Sequence, residues 1–240
     1  MAIDYTKRPG KASAPAPAAG GAPGGAAPAA AGGAPVSLSK VTLTKSAPSV
    51  SLSKRGATGG QLRVNLQWST GAQPVKRGLF SRGGSGAIDL DLACLWEFTD
   101  GSKGVVQALG NAFSAPGYGP PIIHLDGDDR SGSAAGGENM FIDLSRVAEI
   151  RRILVFTFIY EGVPNWASAD GIVTLFPASG PEIEVRLDEP DPQARTCVIA
   201  MLENRGGDLV VNREMRYIRG GQSDVDRAYG WGMQWARGSK

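Results

Sequence analysis

The chain has 240 residues, a formal net charge of +2 and 20% charged residues, which suits one large domain or two small ones. Three basic residues and one acidic residue precede Pro35, so the rest carries 25 − 3 = 22 basic and 23 − 1 = 22 acidic residues. This neutral balance argues against a nucleic-acid partner, because such partners favour concentrated positive charge. The sequence shows neither an export signal nor an apolar run of membrane-spanning length, so we expect a cytoplasmic protein.

The first part of the chain has a composition that does not support folding. From Lys11 to Pro35 it is almost entirely Ala, Pro, Gly and Ser. Such a segment cannot bury enough apolar surface to offset the loss of chain entropy. We therefore predict a disordered tail over residues 1–35 and one folded domain over residues 36–240.

The folded part consists of short runs in which apolar and polar residues alternate, which is typical of half-buried strands. Gly- and Pro-containing turn signals separate these runs, so we predict an all-β fold, a two-sheet β-sandwich with few short helices. The predicted helices are one turn at Leu144–Ile150 and a last helix at Ser223–Tyr229, with Ser223 as its N-cap. The predicted strands are 36–40, 41–45, 50–54, 62–68, 88–98, 105–109, 140–144, 153–160, 172–176, 183–187, 197–202, 208–212 and 215–218.

Two acidic segments are the strongest functional signal. In Ile88-Asp-Leu-Asp-Leu92, alternation places Asp89 and Asp91 on one face of a strand, roughly 7 Å apart. The second is a glycine-rich loop that begins at Asp126 and ends in Gly137-Glu-Asn139. Carboxylates brought together repel each other unless a cation lies between them, and oxygen-only ligands suit calcium better than zinc. The predicted ligands of Ca²⁺ are Asp89, Asp91, Asp128, Asp129, Glu138 and Asn139.

The acidic loop taken alone is also compatible with a solvated surface loop. It is not an EF-hand, because its fifth position is Arg130 and its twelfth is Gly137 rather than glutamate. The prediction of a metal site therefore requires that the loop lies next to the strand that carries Asp89 and Asp91.

The cysteines and the histidine favour structural roles. Cys94 and Cys197 each lie in an apolar strand-like run, which favours two buried free thiols over a disulfide. His124 is the single histidine, and the chain has no cluster of cysteine and histidine, so transition-metal sites and histidine-based catalysis are poorly supported.

Three tryptophans lie in the last third of the chain. Trp231 and Trp235 are expected to be core residues. Trp166 follows a Pro-Asn turn, where it can be either buried or part of an exposed contact surface.

Eight segments of the chain form one pattern in a fixed order. They are Val36-Ser-Leu-Ser-Lys40, Val64-Asn-Leu-Gln-Trp68, Ile88-Asp-Leu-Asp-Leu92, Gly127-Asp-Asp-Arg-Ser-Gly132, Gly137-Glu-Asn139, Ile142-Asp-Leu144, Phe156 to Tyr160 and Tyr229-Gly-Trp231-Gly-Met-Gln-Trp235. With these segments the chain from residue 36 onward resembles the tellurium-resistance TerD family of stress proteins, and its end resembles the TerA-type branch.

The resemblance implies a non-enzymatic, calcium-binding β-sandwich linked to tellurite resistance. It would act in the cytoplasm by binding protein partners of a stress-response complex or by assembling at a surface, including the inner membrane surface. The stretch 133–137 lacks the acids found in family members with full sites, which leaves one full site, or one strong and one weak.

Two other function classes compete with this reading. A calcium-dependent carbohydrate-binding or adhesin-type sandwich would normally be exported, and the sequence shows no export signal. A hydrolase that uses Asp and Glu as acid and base is formally open, but the sequence offers no candidate pair of nucleophile and base.

Overall fold

The computed structural model describes residues 41–43, 49–53, 59–69, 88–115, 119–127, 136–163 and 165–235. The predicted tail over 1–35, the strand at 36–40 and the candidate ligands Asp128 and Asp129 lie outside these residues. The described parts form two six-stranded sheets with a few short helices, so the predicted all-β sandwich is confirmed.

Within both sheets, all neighbouring strands run antiparallel except one short parallel pair, Val41–Thr42 with Ile183–Leu187. The first sheet has the order β1 (Val41–Thr42), β10 (Ile183–Leu187), β9 (Gly171–Phe176), β3 (Gln61–Gln67), β7 (Glu138–Asp143) and β6 (Ile123–Leu125). The second has the order β2 (Ser49–Ser51), β12 (Asp208–Ile218), β11 (Thr196–Arg205), β8 (Ile150–Glu161), β4 (Asp89–Phe98) and β5 (Lys103–Val106).

The helices of the described residues are short. One α-helix, α1, spans Gln222–Tyr229. Three 3₁₀ turns cover Leu109–Asn111, Leu144–Glu149 and Trp166–Ser168, so the predicted turn after Leu144 is confirmed. In the parts of the chain described above, no helix is long and apolar enough to cross a membrane.

The central strands of the second sheet are buried on both faces along most of their length. Its inner face packs against the first sheet in the main core, where Leu90 and Leu92 lie. Its outer face carries a second apolar cluster that includes Leu95, Phe156 and Trp231. β4 is therefore buried over its whole length, although alternation alone predicted one open face.

The segment that follows α1 covers this outer face. The indole of Trp231 is fully buried, and its Nε1 donates to the Trp96 carbonyl oxygen at 3.2 Å. The Arg152 guanidinium lies 3.9 Å from the Trp231 ring centroid, and Lys103 Nζ donates to the Trp231 carbonyl oxygen at 2.6 Å. These contacts hold the end of the described chain against the sheet.

The predicted N-cap of the last helix is wrong. Gly221 occupies the cap position, and the Asp224 carboxylate accepts a hydrogen bond from the Gly221 backbone N–H at 3.0 Å. Asp226 turns instead toward the following segment and accepts hydrogen bonds from the backbone N–H groups of Gly232 and Met233. It also accepts one from Trp235 Nε1 at 2.6 Å, so this buried carboxylate organises the covering segment.

Two strand assignments also differ from the sequence prediction. The predicted strands at 208–212 and 215–218 form one strand, β12, which continues through Met215 with a φ of 44° and a shift in register opposite β11. The strand β6, with His124 at its centre, was missed because it has only three residues.

The predicted burial of the cysteines is confirmed. Cys94 and Cys197 are free and buried, and burial raises the pKa of both thiols. Trp166 is also fully buried, with Nε1 2.6 Å from the Ala194 carbonyl oxygen, so the exposed-surface alternative is wrong. Trp231 is a core residue as predicted, whereas Trp235 is only partly buried.

Candidate metal site

The start of β4 and the start of β7 lie at the same end of the sandwich, one in each sheet. Glu138, the first residue of β7, extends its carboxylate across the gap, and its Oε2 accepts a hydrogen bond from the Leu92 backbone N–H at 2.7 Å. β5 pairs with β4 only from Cys94 to Glu97, so no residue of β5 pairs with Leu92. Glu138 therefore satisfies a backbone donor at the strand edge and links the two sheets.

Three predicted ligands at this end are almost completely buried. The exposed fraction is 2% for Asp89, 0% for Asp91 and 1% for Glu138. Transferring a carboxylate out of water costs several kcal/mol unless other groups compensate its charge. Three carboxylates are thus withdrawn from water at this end of the sandwich.

The register of β4 changes beside these acids. Asp89 pairs with Glu161 and Leu90 pairs with Ile159, so Tyr160 is the extra residue of a bulge in β8. The Arg195 guanidinium stabilises the bulged end of β8 by donating to the Ile159 carbonyl oxygen at 2.9 Å. Sequence reasoning did not identify this arginine, because its partner is a main-chain carbonyl on another strand.

The acidic loop connects β6 to β7, and its two ends are fastened together. The Asp126 carboxylate accepts from the Asn139 backbone N–H at 3.0 Å and from Asn139 Nδ2 at 2.9 Å. In return, the Asp126 backbone N–H donates to the Asn139 carbonyl oxygen at 2.9 Å. The Asn139 side-chain oxygen accepts from Asn65 Nδ2 at 2.8 Å and from Arg63 Nη1 at 3.2 Å. We call this group of Asp126, Asn139, Asn65 and Arg63 the loop neck.

A glycine is required where the loop returns to the sheet. Gly137 has a φ of 62°, and a Cβ at this position would collide with the Leu66 carbonyl oxygen. The Gly137-Glu-Asn139 end of the loop thus needs glycine for both backbone conformation and space.

The structure brings only some of the predicted ligands together. Asp89, Asp91 and Glu138 lie at one end, Asn139 lies in the loop neck, and Asp128 and Asp129 are outside the described residues. Among the residues that the structure does describe, no group of three or more His, Cys, Asp or Glu side chains is placed to hold a metal ion. Asp89, Asp91 and Glu138 therefore share one end of the sandwich without forming a cation-binding group by themselves.

His124 has a structural environment. Its ring stacks on Phe141 of the neighbouring strand, with centroids 5.0 Å apart and planes 20° apart. Asp126 lies two residues after His124 and was not among the predicted ligands. Its position at the start of the Asp-Gly-Asp-Asp run was the signal that could have identified it as a residue of this region.

These features define a class of protein, a two-sheet β-sandwich with buried acids and a glycine-rich acidic loop at one end. The chain is 47% identical over 207 residues to the tellurium resistance protein TerA of an Alcaligenes species. The alignment covers 85% of this chain and 60% of TerA, so the chain spans less than two thirds of that relative. The chain is a homologue of TerA, and the predicted family resemblance is confirmed.

One solved structure shares the fold at low sequence identity, and a second gives a lower structural score. The crystal structure of a protein of unknown function has a TM-score of 0.50 and 16% identity, covering 74% of this chain and 99% of that protein. A homologue of the telluride resistance protein TerD from Streptomyces coelicolor has a TM-score of 0.47 and 19% identity, covering 68% of this chain and 92% of that protein. No protein-family model matches the chain.

Proposed function

We propose that the chain is a calcium-binding, non-enzymatic stress-response module that works in tellurium resistance by binding partner proteins. The observation that carries the proposal is the burial of Asp89, Asp91 and Glu138 at the end of the sandwich from which the acidic loop emerges. A divalent cation bound there would offset the repulsion among these carboxylates. The homology with TerA supports the association with tellurium resistance.

The donor chemistry fits calcium. The candidate residues supply carboxylate oxygens, and calcium accepts six to eight oxygen ligands in flexible geometry. Asp89, Asp91 and Glu138 would provide the fixed side of the site, and Asp128 and Asp129 would complete it from the loop. Glu138 Oε2 also accepts a hydrogen bond from the Leu92 backbone N–H, which holds this carboxylate in place.

The proposal treats the chain as a binding module rather than an enzyme. Its one histidine is stacked on Phe141, and both cysteines are buried with raised pKa values. These environments do not suit a nucleophile or a general base. We propose that the module acts in the cytoplasm, with calcium-dependent protein partners that include proteins at the inner membrane surface, and without a nucleic-acid partner.

Thermal unfolding with and without calcium tests the proposal. Ligand at about one hundred times its dissociation constant adds about 2.7 kcal/mol to the free energy of unfolding. For a domain of this size, that gain raises the melting temperature by roughly 5–10 °C. Magnesium should give a smaller increase, because it requires tighter octahedral geometry.

Variants show whether the increase comes from the proposed site. Asp91→Asn and Asp128→Asn should each reduce the calcium-dependent increase, and each could stabilise the metal-free protein by relieving repulsion. Glu182→Gln is the charge-matched control, because Glu182 is exposed just before β10 and should leave the increase unchanged. If millimolar calcium leaves the melting curve of the parent chain unchanged, the acidic loop is a solvated surface loop.

A further inference from the structure

We infer that a groove on the outer face of the first sheet binds an arginine side chain of a partner protein. The groove has a volume of about 580 Å³ and lies near the end of β7, whereas the acidic loop enters the sheet at the beginning of that strand. This contact would supply part of the partner binding proposed above, and its biological role rests on that function. The groove is lined by Gln61, Pro120, Pro121, His124, Asp143 and Ser145.

Strand register places the polar lining on one face of the sheet. Ile123 and Ile142 belong to the main core. Because side chains alternate along a strand, His124 and Asp143, which follow them, lie on the outer face. Gln61 pairs with Asp143 across β3 and β7 and is exposed. An imidazole, a carboxylate and an amide are thus neighbours on the outer face.

The Asp143 carboxylate has one oxygen in use and one available. Its Oδ1 accepts hydrogen bonds from the backbone N–H and the hydroxyl of Ser145, at 2.9 and 2.6 Å. Within the described parts of the chain, no hydrogen bond or ion pair reaches Asp143 Oδ2. Ser145 therefore holds the carboxylate in place, and Oδ2 is available to a charged donor, which makes stronger hydrogen bonds than a neutral one.

The arginine already present beside the groove is committed to other partners. Arg146 donates to both carboxylate oxygens of Glu149, from Nε at 2.7 Å and from Nη2 at 2.6 Å. Its Nη1 donates to the Pro120 carbonyl oxygen at 2.8 Å, which fixes the proline wall of the groove. Because Arg146 and Glu149 neutralise each other, Asp143 gives the groove a net negative charge.

The remaining lining is flat and apolar. The His124 ring stacks on Phe141, which fixes its plane. Among the described residues, none makes a hydrogen bond to either ring nitrogen of His124. Pro120 and Pro121 are exposed and add two apolar rings.

This combination of groups fits a guanidinium. A guanidinium is planar, carries five N–H donors and a positive charge, and stacks on aromatic rings. The apolar stem of an arginine can pack on the proline rings. Lysine supplies the charge without the flat surface, and a sugar supplies hydrogen bonds without the charge. Arginine uses the carboxylate, the imidazole and the prolines together.

Nuclear magnetic resonance on the full-length chain tests the site with N-acetylarginine amide as the probe. His124 is the single histidine, so its ring signals are unique, and the backbone amides of residues 61 and 145 are second reporters. The probe should shift these signals saturably, with a dissociation constant on the order of 1–10 mM. N-acetylcitrulline amide, which has the same shape without the charge, and N-acetyllysine amide should bind at least about tenfold more weakly. A chelator is present throughout, so the result does not depend on the calcium site.

Removing the charge of the groove should weaken binding. Asp143→Asn keeps an oxygen for Ser145 and should bind the arginine probe at least about tenfold more weakly. Asp100→Asn is the matched control, because Asp100 Oδ1 accepts from the backbone N–H and the hydroxyl of Ser102, at 2.8 and 2.6 Å, in the same local motif. Asp100 does not line the groove, so this variant should stay within about threefold of the parent chain.

Changing the charge at Gln61 keeps the test decisive if Asp143→Asn fails to fold, because position 61 is exposed. Gln61→Glu places a second carboxylate opposite Asp143 and should tighten binding at least about threefold. Gln61→Lys places an ammonium there and should weaken binding at least about threefold.

Four results would overturn the inference. They are no shift of the reporters with the arginine probe, equal affinity for the arginine and citrulline probes, equal affinity for the arginine and lysine probes, and affinities that do not respond to charge at positions 61 and 143. If the chain binds the arginine probe but no calcium, the calcium function fails and the arginine site stands.

Discussion

Replacing Glu138 should separate its link between the sheets from its proposed role in binding calcium. Glu138→Ala removes the carboxylate oxygen that accepts a hydrogen bond from the Leu92 backbone N–H at 2.7 Å. Leu92 is buried, and β5 pairs with β4 only from Cys94 onward, so β5 offers this N–H no replacement acceptor. Glu138→Gln keeps an oxygen that can accept this hydrogen bond but removes the charge. We therefore expect Glu138→Ala and Glu138→Gln to differ in stability but to lose calcium binding to a similar extent.

The magnitude follows from the hydrogen bond that is lost. A hydrogen bond to a charged group contributes about 1.5–3 kcal/mol, and an orphaned buried donor costs a comparable amount. Because these describe one interaction, we expect Glu138→Ala to lower the free energy of unfolding of the metal-free protein by about 2–3 kcal/mol. In a domain of this size, the melting temperature should fall by roughly 4–12 °C.

Denaturant unfolding in a chelator measures this effect directly. Glu138→Gln should stay within about 1 kcal/mol of the parent chain, since it keeps an oxygen that can accept the Leu92 hydrogen bond. Glu182→Gln, an exposed change of the same chemistry, is the control. Equal losses of stability for alanine and glutamine at position 138 would contradict this expectation, because they would show that the charge rather than the hydrogen-bond acceptor holds the sheets together.

Four further predictions concern other parts of the molecule. Cys94 and Cys197 should react slowly with a thiol reagent in the native protein, because both thiols are buried and their pKa values are raised. The denatured protein should titrate two free thiols, and fast labelling of the native protein would contradict this prediction. Asp226→Asn should cost at least about 2 kcal/mol in denaturant unfolding, since three donors converge on that carboxylate. Ser223→Ala should be nearly neutral, because Gly221 is the cap, and a loss as large as that of Asp226→Asn would restore Ser223 as the cap. Removing residues 1–35 should leave the melting temperature nearly unchanged, and a fall of several degrees would show that the tail packs on the domain.

The fold was predictable because its strands carry a local signal. The alternation in β3 and the apolar runs of β4 and β8 define strands from side-chain pattern alone, and the structure confirms them. β6 lacks such a signal, because three residues are too few for a pattern. The continuity of β12 through Met215 depends on its pairing with β11, which the local sequence does not encode.

The site was predictable only in part. The Asp-Leu-Asp pattern of β4 and the glycine-rich loop identify the acidic residues, but burial of the outer face of β4 depends on the distant segment after α1. The roles of Asn65 and Arg63 could not be predicted, because their partners are more than 70 positions away in the chain. Sequence pattern names the residue types, whereas long-range contacts decide which of them hold the loop.

Calorimetric titration of the metal-free chain with calcium decides whether the proposed site exists. We expect saturable binding with one strong site, or one strong and one weak, because the stretch 133–137 carries no acids. Asp91→Asn should weaken the strong site, whereas Glu182→Gln should leave it unchanged. The absence of any binding heat or melting shift at millimolar calcium would contradict the calcium function, and so would a strong site that Asp91→Asn does not affect.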